Sequence, residues 1–333
     1  MNVHLIVHLA DQRVPGRRCG RIVAVNILLL ALALQGSLAH AVEPAAATPA
    51  AAGRAWKLVV LGVAQDGGLP HLGCMQKRCV DARAGKRRRE KVSCLGLTDG
   101  ERGYLFDATP DLPAQWHMLP RVDGIFLTHA HIGHYTGLMY LGKEALAAKE
   151  VPVYGTKRMV DFLGANGPWS LLVKDRNIVT ETMTSNGPVQ ENILVPNSFR
   201  AAKMGVGIRA TTVPHREEFT DTLLYEIRGP RKTAIFLPDI DKWDTWGWGI
   251  REVVDRVDYV FLDGTFLSGD ELPGRDISKV RHPFVTETIA KLKGTKTQVY
   301  FIHLNHTNPL WDDPSPVERE GFHVATEGLE LPL

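Results

Sequence analysis

The sequence lacks an apolar run long enough to cross a bilayer. Residues 22–34 are apolar except for Asn26, but this run of 13 residues is shorter than the roughly 20 that a membrane-spanning helix needs. The main body also lacks the composition of a disordered, collagen-like or coiled-coil protein. With 333 residues, 44% of them hydrophobic, the chain can bury the core of one large domain or two small ones.

The N-terminal segment has the three parts of a secretory signal. Four arginines between positions 13 and 21 form a basic start, residues 22–34 form the apolar part, and Ala39-His40-Ala41 has small residues where a signal peptidase reads. A membrane anchor is the alternative, which the short apolar run disfavours. We therefore expect residues 1–41 to be a cleaved signal peptide. The mature protein would be periplasmic or secreted, with no stable membrane anchor.

An excess of charge is also lacking once this segment is removed. The full chain has a formal net charge of +2, whereas the part after Ala41 has 35 Lys+Arg against 36 Asp+Glu, a net charge of −1. The basic character therefore belongs to the signal, and charge gives no support for a nucleic-acid partner. We expect a small-molecule substrate and no nucleic acid, and nothing in the sequence indicates an oligomeric state.

Cysteine is scarce. Cys19 leaves with the signal, which leaves Cys74, Cys79 and Cys94, an odd number. In an oxidising compartment, Cys74 and Cys79 can form a loop disulfide, with Cys94 as a small buried apolar residue. They can instead hold a structural metal ion with help from His71 or Cys94. Spacing alone does not choose between these alternatives.

The main body alternates short strands with helices. We expect residues 42–55, rich in Ala and Pro, to be a flexible tether, and residues 56–333 to form one domain. The pattern predicts strands at 57–63, 95–98, 104–107, 122–128, 151–154, 223–227, 233–237, 257–262 and 298–302, helices at 138–148, 157–163 and 285–293, and further β-structure within 176–213. This mixture fits a layered α/β sandwich.

Three histidines lie directly after the predicted apolar strand 122–128. Alternate residues of an extended chain point to the same side, so His129 and His131 can converge on one ion. His134 lies where a helix is expected to begin and can approach from another angle. Imidazole suits zinc, iron or nickel, and histidine is seldom needed in a protein core. The cluster therefore predicts a metal site.

Residues 127–134 resemble the signature of the metallo-β-lactamase superfamily, which implies an αββα sandwich. The signature normally has an Asp between its second and third histidines, where this sequence has Gly133. Downstream, His215, Asp239 and His303 match, in order, the isolated histidine, the bridging aspartate and the final histidine of the superfamily. The resemblance covers nearly all of the mature chain.

A narrower resemblance is to the branch that contains coenzyme PQQ synthesis protein B. It rests on residues 62–70, 107–111, 263–266 and 303–309, and on cysteines that follow soon after a Gly-rich N-terminal loop. His306 stands where we expect this branch to have Asn. Such a resemblance says little about the substrate.

The superfamily resemblance implies a metal-dependent hydrolase. His129, His131 and His215 would form a first metal site with an open position for water, whose pKa the ion lowers. Asp239 would bridge to a second ion and help to orient the nucleophile. Zinc is the expected metal, as one or two ions, with iron or manganese as alternatives. The substrate would be an ester, a lactone, a lactam or a phosphodiester.

The second site is where this sequence departs from the superfamily. His134 and His303 would complete it, but no carboxylate is available at Gly133. We expect His306 to reach in as a replacement, or the enzyme to use a single ion. If the position is simply vacated, a Gly133→Asp substitution should strengthen binding of a second ion.

A further histidine has a predicted role in proton transfer. In phosphodiesterase branches that resemble tRNase Z, a histidine in the region of His282 donates a proton to the leaving group, which suits an imidazole. A surface loop histidine is the alternative. Asp263 is expected to orient a ligand or a loop rather than to bind metal.

Two other functions compete with hydrolysis. One is an iron-dependent oxidative enzyme similar to coenzyme PQQ synthesis protein B, against which the predicted export argues. The other is a non-catalytic metal-binding module that lost activity together with the usual Asp at position 133.

The signal prediction is tested by N-terminal sequencing of the native protein. We expect the mature chain to begin at Val42 and to be recovered outside the cytoplasm. A native protein that begins before Ile22 would contradict the prediction.

Overall fold

The computed structural model describes residues 55–185, 193–196 and 205–333. The predicted signal peptide and nearly all of the predicted tether lie outside these residues. Within the described ranges, no helix combines the length and the apolar character that a bilayer crossing requires.

Fourteen strands of the described chain form one continuous ladder that is folded into two layers. The first layer contains β1 (Lys57–Gly62), β2 (Cys94–Thr98), β3 (Gly103–Phe106), β4 (Gly124–Phe126), β5 (Val151–Gly155), β6 (Ile178–Ser185) and, beside β1, β14 (Glu330–Pro332). The second layer contains β7 (Ile193–Pro196), β8 (Gly207–Val213), β9 (Thr222–Arg228), β10 (Thr233–Leu237), β11 (Tyr259–Asp263), β12 (Gln298–Ile302) and β13 (His323–Val324). Strand β6 connects the layers, because it pairs with β5 along its first part and with β7 at its end.

Short helices connect the strands of both layers. In the described chain these are Lys77–Arg83, Leu112–Gln115, Ile132–Tyr135, Lys157–Ala165, Trp169–Lys174, Ile250–Val254, Val285–Leu292 and Ser315–Glu318. Helix Val285–Leu292 is amphipathic and buries Val285, Thr288 and Leu292, three and four residues apart, as one face of a helix requires.

The core lies between the sheets, with a second apolar cluster under the helices of the first layer. In β1, Val60 belongs to the inner core, whereas the neighbouring Val59 belongs to the second cluster, because successive side chains of a strand point to opposite faces. The ring centroids of Phe106 in β3 and Tyr225 in β9 lie 5.3 Å apart and join the two sheets. This arrangement confirms the predicted αββα sandwich.

The predicted helix at 138–148 is wrong. The chain forms a 3₁₀ helix over Thr136–Leu141 and then turns, with Ala147 in the left-handed region at φ 49°. A Cβ at Gly137 would lie only 2.0 Å from the carbonyl oxygen of Thr109, so this segment is held close to a neighbouring loop. Tertiary packing therefore overrides the local helical pattern here.

The topology brings the carboxyl ends of several strands to one edge of the sandwich. Strands β3 and β4 are parallel in the first layer, and β10, β11 and β12 are parallel in the second. The chain leaves β3 at Asp107 and β12 at His303, and both residues have left-handed backbones, with φ of 74° and 65°. Such strained non-glycine residues cluster at functional sites, so this edge of the sandwich is the candidate functional site.

Candidate metal centre

The structure brings four of the predicted ligands together at this edge. One ligand atom each from His129, His131, His215 and Asp239 lies within 4.8 Å of all the others. His129 Nε2 is 2.8 Å from His131 Nδ1 and 3.3 Å from Asp239 Oδ2, and His215 Nε2 is 3.3 Å from Asp239 Oδ1. His131 is partly exposed and the other three are buried, so the group opens to solvent on one side.

A second group lies next to the first. It consists of Asp66, His134 and His303, whose ligand atoms are within 4.8 Å of one another. Asp66 Oδ1 lies 3.3 Å from His134 Nε2 and 3.8 Å from His303 Nε2. Asp239 Oδ2 lies 3.8 Å from His134 Nε2 and 3.9 Å from His303 Nε2, so its carboxylate stands between the two groups.

Asp66 occupies the place of the carboxylate that the sequence lacks at position 133. A Cβ at Gly133 would lie 2.1 Å from Asp66 Oδ1 and 2.6 Å from Asp66 Cα. The ligand position is therefore not vacated, and the expectation of a second group without its carboxylate is wrong. A side chain at Gly133 would also displace Asp66, which reverses the expected effect of Gly133→Asp.

His306 does not supplement this second group. Its imidazole belongs to a third group with Cys74 and Cys79, in which Cys79 Sγ lies 3.7 Å from His306 Nδ1 and the His71 ring stacks on His306 at 4.4 Å. Cys94 is buried elsewhere, 3.5 Å from the carbonyl oxygen of Asp107, and so cannot join them.

This third group has the chemistry of a zinc site. Its two cysteines are free thiols rather than a disulfide. Burial, His71 and Arg78 lower the pKa of His306 to about 4, which keeps its imidazole neutral near pH 7. Two sulfur atoms and a neutral imidazole nitrogen are ligands that structural zinc accepts.

The imidazoles of the first two groups are held by partners on their outer nitrogens. His134 Nδ1 lies 2.8 Å from Asp107, His215 Nδ1 lies 3.1 Å from Asp241, and His131 Nε2 lies 3.1 Å from Glu218. His303 Nδ1 lies 3.0 Å from the hydroxyl of Thr265. Such outer contacts fix the ring orientation and make the inward nitrogen a better ligand.

These orienting acceptors were not identified from the sequence. Asp241 and Glu218 lie two and three residues after Asp239 and His215, so closeness to a ligand was the available signal. Asp107 belongs to residues 107–111, which carry the narrower resemblance but predict no role for this side chain. Carboxylates are common in loops, and closeness in sequence alone does not tell which of them turns toward a histidine.

Five buried atoms of the centre have no hydrogen-bond partner among the described residues. They are Asp66 Oδ1, His134 Nε2, His215 Nε2, Asp239 Oδ1 and His303 Nε2. A buried polar atom without a partner is costly, and all five belong to the two groups. Imidazole nitrogen and carboxylate oxygen are ligands of zinc, iron and manganese, so the residues present fit divalent ions.

The charges of the centre favour a cation. Burial by itself would lower the pKa of His215, but Asp239 and Asp241 outweigh it and raise this pKa to about 10. Burial would raise the pKa of Asp239, but His215, His282 and His303 hold it well below the usual range. The carboxylates thus stay ionised and attract protons to the imidazoles, where a metal ion would compete with them.

His282 lies beside the metal groups and is not a surface loop histidine. Only 13% of its side chain is exposed, and its Nδ1 lies 2.8 Å from Asp263 Oδ2 and 3.2 Å from Asp239 Oδ1. The same ring lines a cavity that opens next to the centre. Asp263 therefore lies where it can orient His282, in line with the role expected of it.

The geometry of Asp66 generates a testable prediction. We expect Asp66→Asn to weaken binding of the second ion at least tenfold, because an anionic ligand is lost, while the first ion stays bound (~1.4 kcal/mol per tenfold change). Competitive metal titration measures this change. Gly133→Asp alone should weaken the second ion as well, because the new side chain meets Asp66.

The double variant Asp66→Gly/Gly133→Asp is the matched control for this prediction. It removes the clash and supplies the carboxylate from the other position, so it should recover part of the second-ion affinity. Unchanged affinity in a folded Asp66→Asn protein would contradict the assignment of Asp66.

Comparisons with known proteins identify the superfamily of the chain. A family model described as the β-lactamase superfamily domain matches residues 102–304. The chain is 25% identical over 309 residues to coenzyme PQQ synthesis protein B of Ruegeria pomeroyi, with 83% of this chain and 100% of the relative covered. The protein of the same name from Gluconobacter oxydans is 26% identical over 317 residues, with 83% and 98% covered.

Solved structures share the fold. The crystal structure of Zn²⁺-bound PqqB from Methylobacterium extorquens matches with a TM-score of 0.67 at 23% identity, covering 83% of this chain and 100% of that one. A diphosphatase from the PhnP family matches with a TM-score of 0.58 at 18% identity, covering 84% and 97%. Because the family model spans more than half of the chain, the chain belongs to the metallo-β-lactamase superfamily, and along most of its length it is similar to coenzyme PQQ synthesis protein B.

Proposed function

We propose that the protein is an exported metal-dependent hydrolase that cleaves an ester, lactone, lactam or phosphodiester bond of a small molecule. The observation that carries the proposal is the pair of inward-facing ligand groups that share Asp239 next to the largely buried imidazole of His282. Two hydrolytic or nucleic-acid-processing neighbours of the same fold, the PhnP-family diphosphatase and the short form of human tRNase Z, are consistent with such chemistry.

The proposed metal ligands follow the two groups. His129, His131 and His215 hold the first ion, Asp66, His134 and His303 hold the second, and Asp239 reaches both. We propose zinc, the ion bound in the crystal structure of PqqB from Methylobacterium extorquens. Bound there, a divalent ion supplies a Lewis acid and water of lowered pKa. Because Asp66 provides the anionic ligand, the missing Asp at position 133 gives no reason to expect an inactive binding module.

The chain's own contribution to the reaction is proton transfer and orientation. Burial opposes the charged form of His282, but Asp263 and Asp239 outweigh it and raise its pKa. Asp263 accepts the hydrogen of Nδ1, so Nε2 is the nitrogen that holds a proton for the leaving group. Asp239, held between the two groups, orients the attacking water.

An oxidative enzyme is the second candidate function. The similarity to coenzyme PQQ synthesis protein B over 83% of the chain favours it, and the ligands present also suit iron. Elemental analysis of the purified protein, together with oxygen uptake on candidate substrates, separates the two functions. Zinc with no oxygen uptake supports hydrolysis, and iron with substrate-dependent oxygen uptake supports oxidation.

The ligand assignment predicts the effect of removing single histidines. We expect His129→Ala, His131→Ala and His215→Ala each to lose most metal at the first site and to lower hydrolysis of chromogenic esters or phosphodiesters by roughly 100-fold or more, because three ligands leave little redundancy. His117→Ala, which removes an exposed histidine of helical segment Trp116–Met118, is the matched control. Full metal occupancy in all three ligand variants, measured by elemental analysis, would show that the site is elsewhere.

The proposed proton donor predicts a dependence on the leaving group. We expect His282→Gln to keep its metal but to lower kcat by about 10²-fold or more for substrates with poor leaving groups. For 4-nitrophenyl substrates the loss should be much smaller, because nitrophenolate leaves without protonation. An equal loss for good and poor leaving groups would assign His282 to positioning or metal binding instead.

A further inference from the structure

A strongly cationic cavity of about 500 Å³ opens beside the metal centre. Four of the side chains that line it are cationic and only one is a carboxylate. The cationic residues are Arg216, Arg275, Lys279 and Arg281, the carboxylate is Asp276, and the wall nearest the metal groups is formed by His282.

Not all of these cations are neutralised within the protein. Arg281 lies 2.8 Å from Asp241, and Lys279 lies 3.6 Å from Asp276. Arg216 and Arg275, by contrast, have no carboxylate within ion-pair distance in the part of the chain that the structure describes. Two guanidinium groups therefore remain available to an anion that enters the cavity.

The position of Arg216 relates the cavity to the site of reaction. Arg216 follows the proposed ligand His215 in the loop between β8 and β9, and its Nη2 lies 3.3 Å from His131 Nδ1. A metal ion bound at His131 Nδ1 would use the lone pair of this nitrogen, which could then no longer accept a hydrogen bond from Arg216. The guanidinium would be left to face a bound substrate. Arg275 lies on the exposed loop after β11, and the two arginines line the same cavity.

The remaining lining suits an organic molecule rather than a bare ion. Phe266 and Val280 provide apolar surface, and Asn305 Nδ2 donates to Gln65 Oε1 at 2.5 Å on the polar wall. A substrate with a carbon skeleton and an anionic end would contact both kinds of surface.

We propose that this cavity is a specificity subsite for an anionic group of the substrate, a carboxylate or a phosphate that is separate from the bond that is cleaved. Arg275 and Arg216 are its principal contacts, because guanidinium groups bind such oxyanions through paired, charge-assisted hydrogen bonds. The proposal rests on the hydrolytic function proposed above and adds to it the charge of the substrate.

A matched pair of esters tests the subsite. With the metal-loaded protein, we expect kcat/KM for mono-4-nitrophenyl glutarate to exceed that for neutral 4-nitrophenyl butyrate at least tenfold, mainly through KM, and the preference to shrink as salt is added. Arg275→Ala and Arg216→Ala should each reduce the glutarate-to-butyrate ratio about tenfold. Arg121→Ala, an exposed arginine paired with Asp123 before β4, is the control and should keep the ratio.

Competition identifies the kind of anion. Glutarate and inorganic phosphate are compared as inhibitors of butyrate ester hydrolysis, in the wild type and in Arg275→Ala. An inhibitor whose potency drops about tenfold in the variant occupies the subsite, and its identity distinguishes a carboxylate substrate from a phosphate substrate. Equal kcat/KM for the two esters, or a preference that survives in both arginine variants, would overturn the proposal.

Failure of the subsite and failure of the hydrolytic function give different results. If the metal-loaded protein cleaves neither ester, nor any other chromogenic ester, lactam or phosphodiester, the hydrolytic function is rejected. The subsite is then tested separately, by calorimetry of glutarate and phosphate binding. Anion binding that weakens tenfold in Arg275→Ala but not in Arg121→Ala supports the subsite. Equal anion affinity in the wild type and both variants overturns the subsite.

Discussion

The centre depends on a single buried carboxylate, that of Asp239, which stays ionised among imidazoles. Its oxygens lie 3.2 to 3.3 Å from His282, His129 and His215, on a residue that is almost fully buried. An unpaired charge at such a place is very unfavourable, so positive charge must be present beside it. Protons on the imidazoles or divalent ions between them can provide that charge, and the unpartnered inward nitrogens suit the ions.

The sandwich supplies this arrangement by placing strand ends from both sheets at one edge. Strand β4 leads into the first histidines, while β10 and β12 lead into Asp239 and His303. Outer carboxylates such as Asp107 then hold the rings, and Asp107 and His303 keep strained left-handed backbones in doing so. Strain of this kind is tolerated where the surrounding structure determines the position of the residue. Here the strained residues are His303, a proposed ligand, and Asp107, the carboxylate that orients the ligand His134.

One chain of contacts couples the cationic cavity to the metal centre. Asp241 lies 3.1 Å from the outer nitrogen of His215 and 2.8 Å from Arg281, which lines the cavity. The same carboxylate thus orients a proposed ligand and takes up one of the cavity's cations.

The sequence by itself determined the layered α/β architecture, most strand positions and the ligands that follow strands. Period-two apolar patterns identify strands, and His129 and His131 converge because alternate residues of an extended chain share a side. The tertiary structure alone decided that Asp66 stands where a side chain at position 133 would lie, and that His306 faces Cys74 and Cys79. Both outcomes depend on how the loop after β1 packs against distant segments, and local spacing carries no information about such contacts. The same holds at 138–148, where the local pattern predicted a helix but the chain forms a 3₁₀ helix over Thr136–Leu141 and then turns.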